Sequence, residues 1–190
     1  MTRASRRSGF TLVELMTVVA IIGIVAVLAS RMYSRGVRGE AAPGFARSLM
    51  SSMLDARHSA MALGRTTRVT LAPGTSATPA MTVLTETYDP TSTTWIKQST
   101  LSMPTSLQFC GVTQGVVMGT VSLVCSLTTV TVLCFYATGR VDQPVSNTCQ
   151  TSSPTSSTGA TIYFETTTAE KKYRLWVWGL TGMVKMIDQW

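Results

Sequence analysis

Hydrophobic and polar positions divide the chain into three zones with different periods. From Phe10 to Ala29 there is no period: these 20 residues are apolar or small apart from Thr11, Glu14 and Thr17. As a helix rising about 1.5 Å per residue, the run covers roughly 30 Å, the thickness of a bilayer's hydrocarbon core. After Pro43 the period becomes helical. Phe45, Leu49, Met53, Ala56, Ala60 and Leu63 recur at spacings of three and four and draw one apolar stripe, with Arg47, Ser51, Asp55, Arg57 and His58 largely off it. Between the two zones, Gly36, Gly39, Pro43 and Gly44 interrupt helical propensity, which predicts a break, kink or melted turn over residues 36–44.

From about residue 65 onward the pattern shortens to runs rich in β-branched and aromatic residues, separated by turn signals. Strands are predicted at Thr67–Leu71, Met81–Tyr88, Trp95–Gln98, Leu107–Cys110, Val121–Cys125, Val130–Tyr136, Ile162–Thr166, Tyr173–Trp178 and Met183–Ile187. Asp89-Pro90-Thr-Ser-Thr reads as a hairpin loop. The segment Ser146–Thr161, with ten Ser or Thr among 16 residues, reads as a mobile surface excursion. The expected fold class is α+β: a long N-terminal helix whose amphipathic half lies on a mostly antiparallel sheet.

Composition narrows the setting. At 190 residues the chain accommodates one globular core plus an appended segment. Its net charge is +7, but Arg3, Arg6 and Arg7 precede the apolar run. Without them 13 basic side chains face 9 acidic ones, a mild +4. Cys110, Cys125, Cys134 and Cys149 lack CxxC spacing and sit in a chain with one histidine, which disfavours zinc and favours disulfides in an oxidising compartment. Of three possible pairings, proximity favours Cys110 with Cys125 and Cys134 with Cys149; buried free thiols are the alternative.

Glu14 is the residue that the apolar run does not explain. A secretory signal also has a basic start and an apolar core, and Val27-Leu28-Ala29 would serve as its cleavage site before Ser30. However, an ordinary signal core is about 7 to 15 residues long, and a carboxylate within it costs roughly 2.5 to 3.5 kcal/mol, less near the interface. A disposable segment has no reason to carry that cost. The next basic side chain, Arg31, lies about 25 Å along the axis, so the carboxylate's partner has to come from outside the helix.

The stretch Ser8-Gly9-Phe10-Thr11-Leu12-Val13-Glu14, followed by the apolar run, closely resembles the class III leader and first helix of type IV pilins and type II secretion pseudopilins. The resemblance implies a pilin fold, cleavage by prepilin peptidase after Gly9, N-methylation of Phe10, and a role in assembly for Glu14. In that family the new α-amine of one subunit meets the glutamate of its neighbour. An α-amine with an ordinary pKa of about 7.7 to 8.0 is largely charged, so the pair offsets the desolvation of both groups. Arg31, Arg35 and Arg38 balance the leader arginines, so orientation follows from cytoplasmic cleavage and not from a positive-inside count. The implied organisation is a leader over residues 1–9, a membrane or filament-core half-helix over 10–30, a kinked linker and amphipathic half-helix over 31–64, and a periplasmic β-rich domain over 65–190.

Three further stretches resemble elements of the GspH/FimT/FimU group of minor pilins: Asp55-Ala-Arg-His-Ser-Ala60 with Gly64-Arg65, Phe135-Tyr-Ala-Thr-Gly-Arg-Val141, and Leu175 through Val184. The implied role is a structural, non-enzymatic minor pilin that primes assembly at or near a pilus tip. Its implied partners are other minor pilins, the major pilin, the inner-membrane assembly platform and prepilin peptidase. A type II secretion minor pseudopilin and a DNA receptor for natural transformation are the alternatives.

Other chemistry finds less support. Asp55, His58 and Ser59 fall within one helical turn, whereas a catalytic triad converges from separate elements beside an oxyanion donor; a solvated helix face explains them. No Walker A, HExxH or EF-hand pattern occurs, and neither a metal nor a cofactor is expected. For DNA the candidates are Lys171, Lys172 and Arg174 beside Tyr173, Trp176 and Trp178. The competing reading is an edge strand whose lysines blunt aggregation and whose aromatics enter the core. The chain ends Lys185-Met-Ile-Asp-Gln-Trp190, without the basic "GRxR"-like motif of the FimT receptors.

Overall fold

A computed structural model describes residues 12–74, 81–117, 125, 129–144, 146–152, 154, 157–168 and 171–188, the side chains of 29–41 and 188 excepted. Among the described residues one helix, α1 (Leu12–Leu63), is followed by nine strands: β1 (Thr67–Ala72), β2 (Thr82–Asp89), β3 (Thr94–Ser102), β4 (Leu107–Gln114), β5 (Thr131–Phe135), β6 (Val141–Asp142), β7 (Ala160–Thr166), β8 (Lys172–Val177) and β9 (Val184–Asp188). The chain divides into two units, residues 1–40 and 41–190. The fold class is α+β, as the periodicities require.

In the first unit α1 presents an unbroken apolar surface, with every described large hydrophobic from Leu12 to Leu28 exposed. Among the described residues no helix is long and apolar enough to cross a membrane. The described side chains of the run number 17, from Leu12 to Leu28, short of the roughly 20 that a bilayer core takes. Phe10, Thr11 and Ala29 complete the run in the sequence, and their side chains lie outside the described residues.

Of the break, kink or melted turn predicted over 36–44, neither a break nor a melted turn occurs. α1 runs through these residues with Pro43 inside it. A mid-helix proline removes one backbone hydrogen bond and costs about 3 kcal/mol, but in the second unit Ala42, Phe45 and Ala46 are all buried around Pro43. Each apolar group buried there contributes on the order of 1 kcal/mol or more, so packing holds the turn that propensity alone would give up.

Two antiparallel sheets form the second unit, ordered β3-β2-β1-β5-β6 and β4-β7-β8-β9. One core joins the helical stripe to the inward residues of both sheets: Val69, Leu71, Val83, Leu133 and Phe135 from the first, Ile162, Phe164, Tyr173, Leu175 and Val177 from the second. Phe45 meets Phe164 edge-on at 5.7 Å, and Phe164 stacks on Tyr173 at 5.4 Å. The stripe is buried at every predicted position except Leu63, which is 56% exposed at the helix end.

Several segments differ from expectation. β3 runs from Thr94 to Ser102, well past Trp95–Gln98, because β2 offers backbone partners along its whole length. Val141–Asp142 adds a short strand beside β5 that two residues of pattern cannot announce. The predicted strand Val121–Cys125 lies outside the described residues but for Cys125, which sits in a bend. The Ser/Thr-rich excursion is anchored at its start, over residues 147–150. Cys149 is buried in a disulfide to Cys134, and Asn147 donates to the Val130 carbonyl (2.7 Å) while its Oδ1 accepts from the Val132 N–H (3.2 Å). The Thr66 hydroxyl donates to the Gln150 carbonyl at 3.2 Å. Composition reads solubility there, and the anchor is the Cys134–Cys149 disulfide that cysteine proximity favoured.

Candidate functional site

The N-terminal candidate sits at the start of α1. Glu14 is in the helix's first turn, where the N-terminal end of the backbone dipole favours an anion. The hydroxyl of Thr17 donates to the Glu14 carbonyl at 2.9 Å, so that threonine satisfies itself within the helix and leaves the apolar surface around it unbroken. Leu12, Val13, Leu15 and Met16 flank Glu14 in sequence and are exposed. A contiguous apolar surface of this extent has to be covered by lipid or protein, and a carboxylate drawn into that cover needs a cation. Gly9 and Phe10 lie outside the described residues.

The basic candidates lie on or beside β8, which the structure places inside its sheet between β7 and β9; the edge-strand reading is therefore corrected. Register explains the mistake. Tyr173, Leu175 and Val177 face the core, so Lys172, Arg174 and Trp176 face out, and Trp178 beyond the strand packs edge-on against Trp176 at 5.7 Å. Only Tyr173 of the three aromatics enters the core. Lys172 Nζ lies 4.0 Å from Glu165 Oε2, and Arg174 lies over the Trp176 ring at 5.1 Å while donating to the Val117 carbonyl at 3.3 Å. Lys171 is exposed beside the β7–β8 turn, its N–H donating to the Thr166 hydroxyl at 3.1 Å.

Disulfides pair Cys110 with Cys125 and Cys134 with Cys149. Cys110 is the extra residue of a bulge in β4, where the register against β7 passes from Phe109 to Gly111. Its sulfur, that of Cys125 and the Glu165 carboxylate lie within 4.8 Å of one another; joined as a disulfide, the sulfurs are not thiolate ligands. Glu165 is 8% exposed and accepts from Gln108 Nε2 at 2.6 Å. On the first sheet's outer face, Cys134, Cys149, Val132 and Tyr136 form a second apolar cluster with Trp95 against it. Burial raises the Tyr136 pKa above its ordinary value, with Asp142 adding to the effect.

Asp55 and His58 stand exposed on α1 with Ser59 half-buried beside them, and among the described residues no hydrogen bond joins the three. The sequence did not announce what their neighbour does. Arg57 runs between the β5–β6 and β8–β9 turns: a Cβ built on Gly182 would lie 2.9 Å from Arg57 Nε and 2.6 Å from the Gly139 carbonyl oxygen. The only signal for this convergence was two glycines in turns far apart in the chain. No curated protein and no solved structure matches this chain. Residues 4–30 match the prokaryotic N-terminal methylation motif, so the chain carries at its start the prepilin signal of type IV pilin-like proteins.

Proposed function

We propose that the chain is a minor pilin: a non-enzymatic subunit held in the inner membrane by its N-terminal helix, cut after Gly9, methylated on Phe10, and built into a fibre at or near its tip. The observation that carries this reading is the methylation motif on residues 4–30, with Glu14 inside it, heading a helix that leads into an antiparallel β-rich unit. Two disulfides in that unit accord with a periplasmic location. Glu14 acts as an assembly register, because a buried ion pair contributes little net stability whereas stranding one member costs several kcal/mol.

The test is mass spectrometry of the mature N-terminus. N-methylated Phe10 is the expected start, and a chain beginning at Ser30 overturns the proposal. Glu14→Gln should leave folding and insertion intact and deplete the subunit from sheared fibres; undiminished incorporation contradicts the pairing.

A further inference from the structure

Outside the N-terminal run, six large hydrophobic side chains are exposed among the described residues, and three of them belong to the helix and turn segments that meet at Arg57. Met61, one helical turn beyond it, is 38% exposed, and its sulfur would lie 3.1 Å from a Cβ on Gly139. Leu180 and Met183, 68% and 55% exposed, flank Gly182 on the β8–β9 turn, which folds against Arg57. That turn is held rigid: the Gly182 N–H donates to the Trp178 carbonyl at 2.7 Å and the Trp178 N–H to the Met183 carbonyl at 2.9 Å. Both apolar side chains are therefore presented on a fixed scaffold.

Arg57 is the cation that both turns pack against; Arg140, which closes the first turn, donates to the Pro154 carbonyl at 3.2 Å. Arg65, Arg68 and Lys172 each have a carboxylate within 4.0 Å. Arg57 makes no hydrogen bond or ion pair among the described residues, and its Nε is buried without a partner. The two turns around it, Tyr136–Arg140 and Trp178–Met183, contain no acidic residue. A half-buried cation rimmed by thioethers and a leucine is drawn to an anion that brings apolar surface with it. Arginine and methionine are both enriched at protein interfaces, whereas surfaces that grip phosphate backbones collect many cations and little apolar area.

We propose that Arg57, Met61, Leu180 and Met183 form a docking surface for a protein subunit of a different kind, which places a carboxylate against Arg57 and apolar side chains on the rim; two copies meeting on this patch would set Arg57 against Arg57 with no carboxylate between them. The inference rests on the assembly role proposed above and adds where the globular unit makes its contact.

The experiment introduces a photo-crosslinking residue at position 180 of the full-length chain in cells that assemble it, with position 91, exposed on the β2–β3 turn, as control. Position 180 should give one discrete protein adduct that position 91 does not. Arg57→Glu should reduce that adduct about tenfold or more, the scale of a lost interfacial charge pair. Exchanging the carboxylate in the partner's crosslinked peptide for arginine should restore it. Met183→Ser, a change at an exposed turn position, should weaken the adduct without altering the thermal melt, which separates docking from folding. An adduct unaffected by Arg57→Glu, an adduct of two copies of this chain, a nucleic-acid adduct, or none overturns the proposal. The mature N-terminus is read in the same cells. A chain starting at Phe10 with no adduct sinks the docking surface alone, and a chain starting at Ser30 sinks the assembly role and the docking surface with it.

Discussion

Gly159 and Gly64 make a controlled pair for asking how closely the backbones pack at the end of the β7–β8 ladder. Both have left-handed backbones, at φ +69° and +64°. A Cβ on Gly64 meets nothing within 4 Å, whereas one on Gly159 would overlap the Val177 carbonyl oxygen and lie 2.6 Å from the Gly179 nitrogen. Neither side of this contact can easily withdraw, because the Gly179 carbonyl accepts from Val141 N (2.7 Å) and the carbonyl of Gly159 itself from Gly115 N (3.1 Å). Alanine at either site costs about 1–2 kcal/mol for the left-handed conformation. It also regains a few tenths to about 1 kcal/mol through the stiffer unfolded chain, and this gain is common to both and cancels in their difference. Gly159→Ala adds about 1–3 kcal/mol of overpacking. It should therefore lower stability by about 2–5 kcal/mol before that gain is subtracted, against about 1–2 for Gly64→Ala. Urea unfolding of residues 41–190 with disulfides intact, followed by tryptophan fluorescence, reads the difference as a midpoint gap of about 1 M, taking a slope of 1–3 kcal/mol per molar. Equal midpoints for the two variants would refute the close approach of the 159 and 179 backbones.

Further outcomes follow from charge and covalent structure. Asp89 is held below its ordinary pKa of 3.8, first by the Ser92 hydroxyl at 2.8 Å, then by the Thr91 N–H, with Arg65 at 3.4 Å assisting. Its folded pKa lies below its unfolded value, so its contribution is present above about pH 4 and lost as pH falls through the folded pKa; the midpoint gap between wild type and Asp89→Ala should close in that window. Glu165 places a negative charge beside the Cys110–Cys125 disulfide, so a thiolate forms there against repulsion that Lys172 only partly offsets. Glu165→Gln should let dithiothreitol reduce that disulfide several-fold faster and leave Cys134–Cys149 unchanged, as read by timed alkylation. Replacing Cys134 and Cys149 together with serine should cost roughly 3 kcal/mol in a urea titration, the entropy of a 15-residue loop.

Much of the fold was legible because burial here follows simple periods. The stripe from Phe45 to Ala60 and the alternation in β1, β2 and β8 were visible from residue type alone. Errors arose where tertiary contact outweighed local preference, as at Pro43, where core burial keeps the helix, and at β8, whose neighbours in the sheet no local pattern reveals. At Ser146–Thr161 composition reads a hydrophilic surface; the Cys149 anchor was legible from cysteine proximity, whereas the side chain to backbone hydrogen bonds of Asn147 and Thr66 were not. The N-terminal signal was legible since its chemistry is local: a glycine, an aromatic and a carboxylate in fixed order. Arg57 was not, because its surroundings come from two turns about 40 residues apart and from the absence of acidic partners, and sequence order shows neither.

The two disulfides set how far the second unit stretches. Pulled by its ends, a polypeptide yields at most about 3.3–3.6 Å per residue, but each crosslink withholds a 15-residue loop, about 50 Å apiece. Of the roughly 500 Å contour of its 150 residues, about a fifth stays out of reach of tension while both bonds stand. β1 and β5 are neighbours across one ladder, and Cys134 in that ladder is crosslinked to the segment after β6, so a load that peels the first sheet would leave this corner tethered.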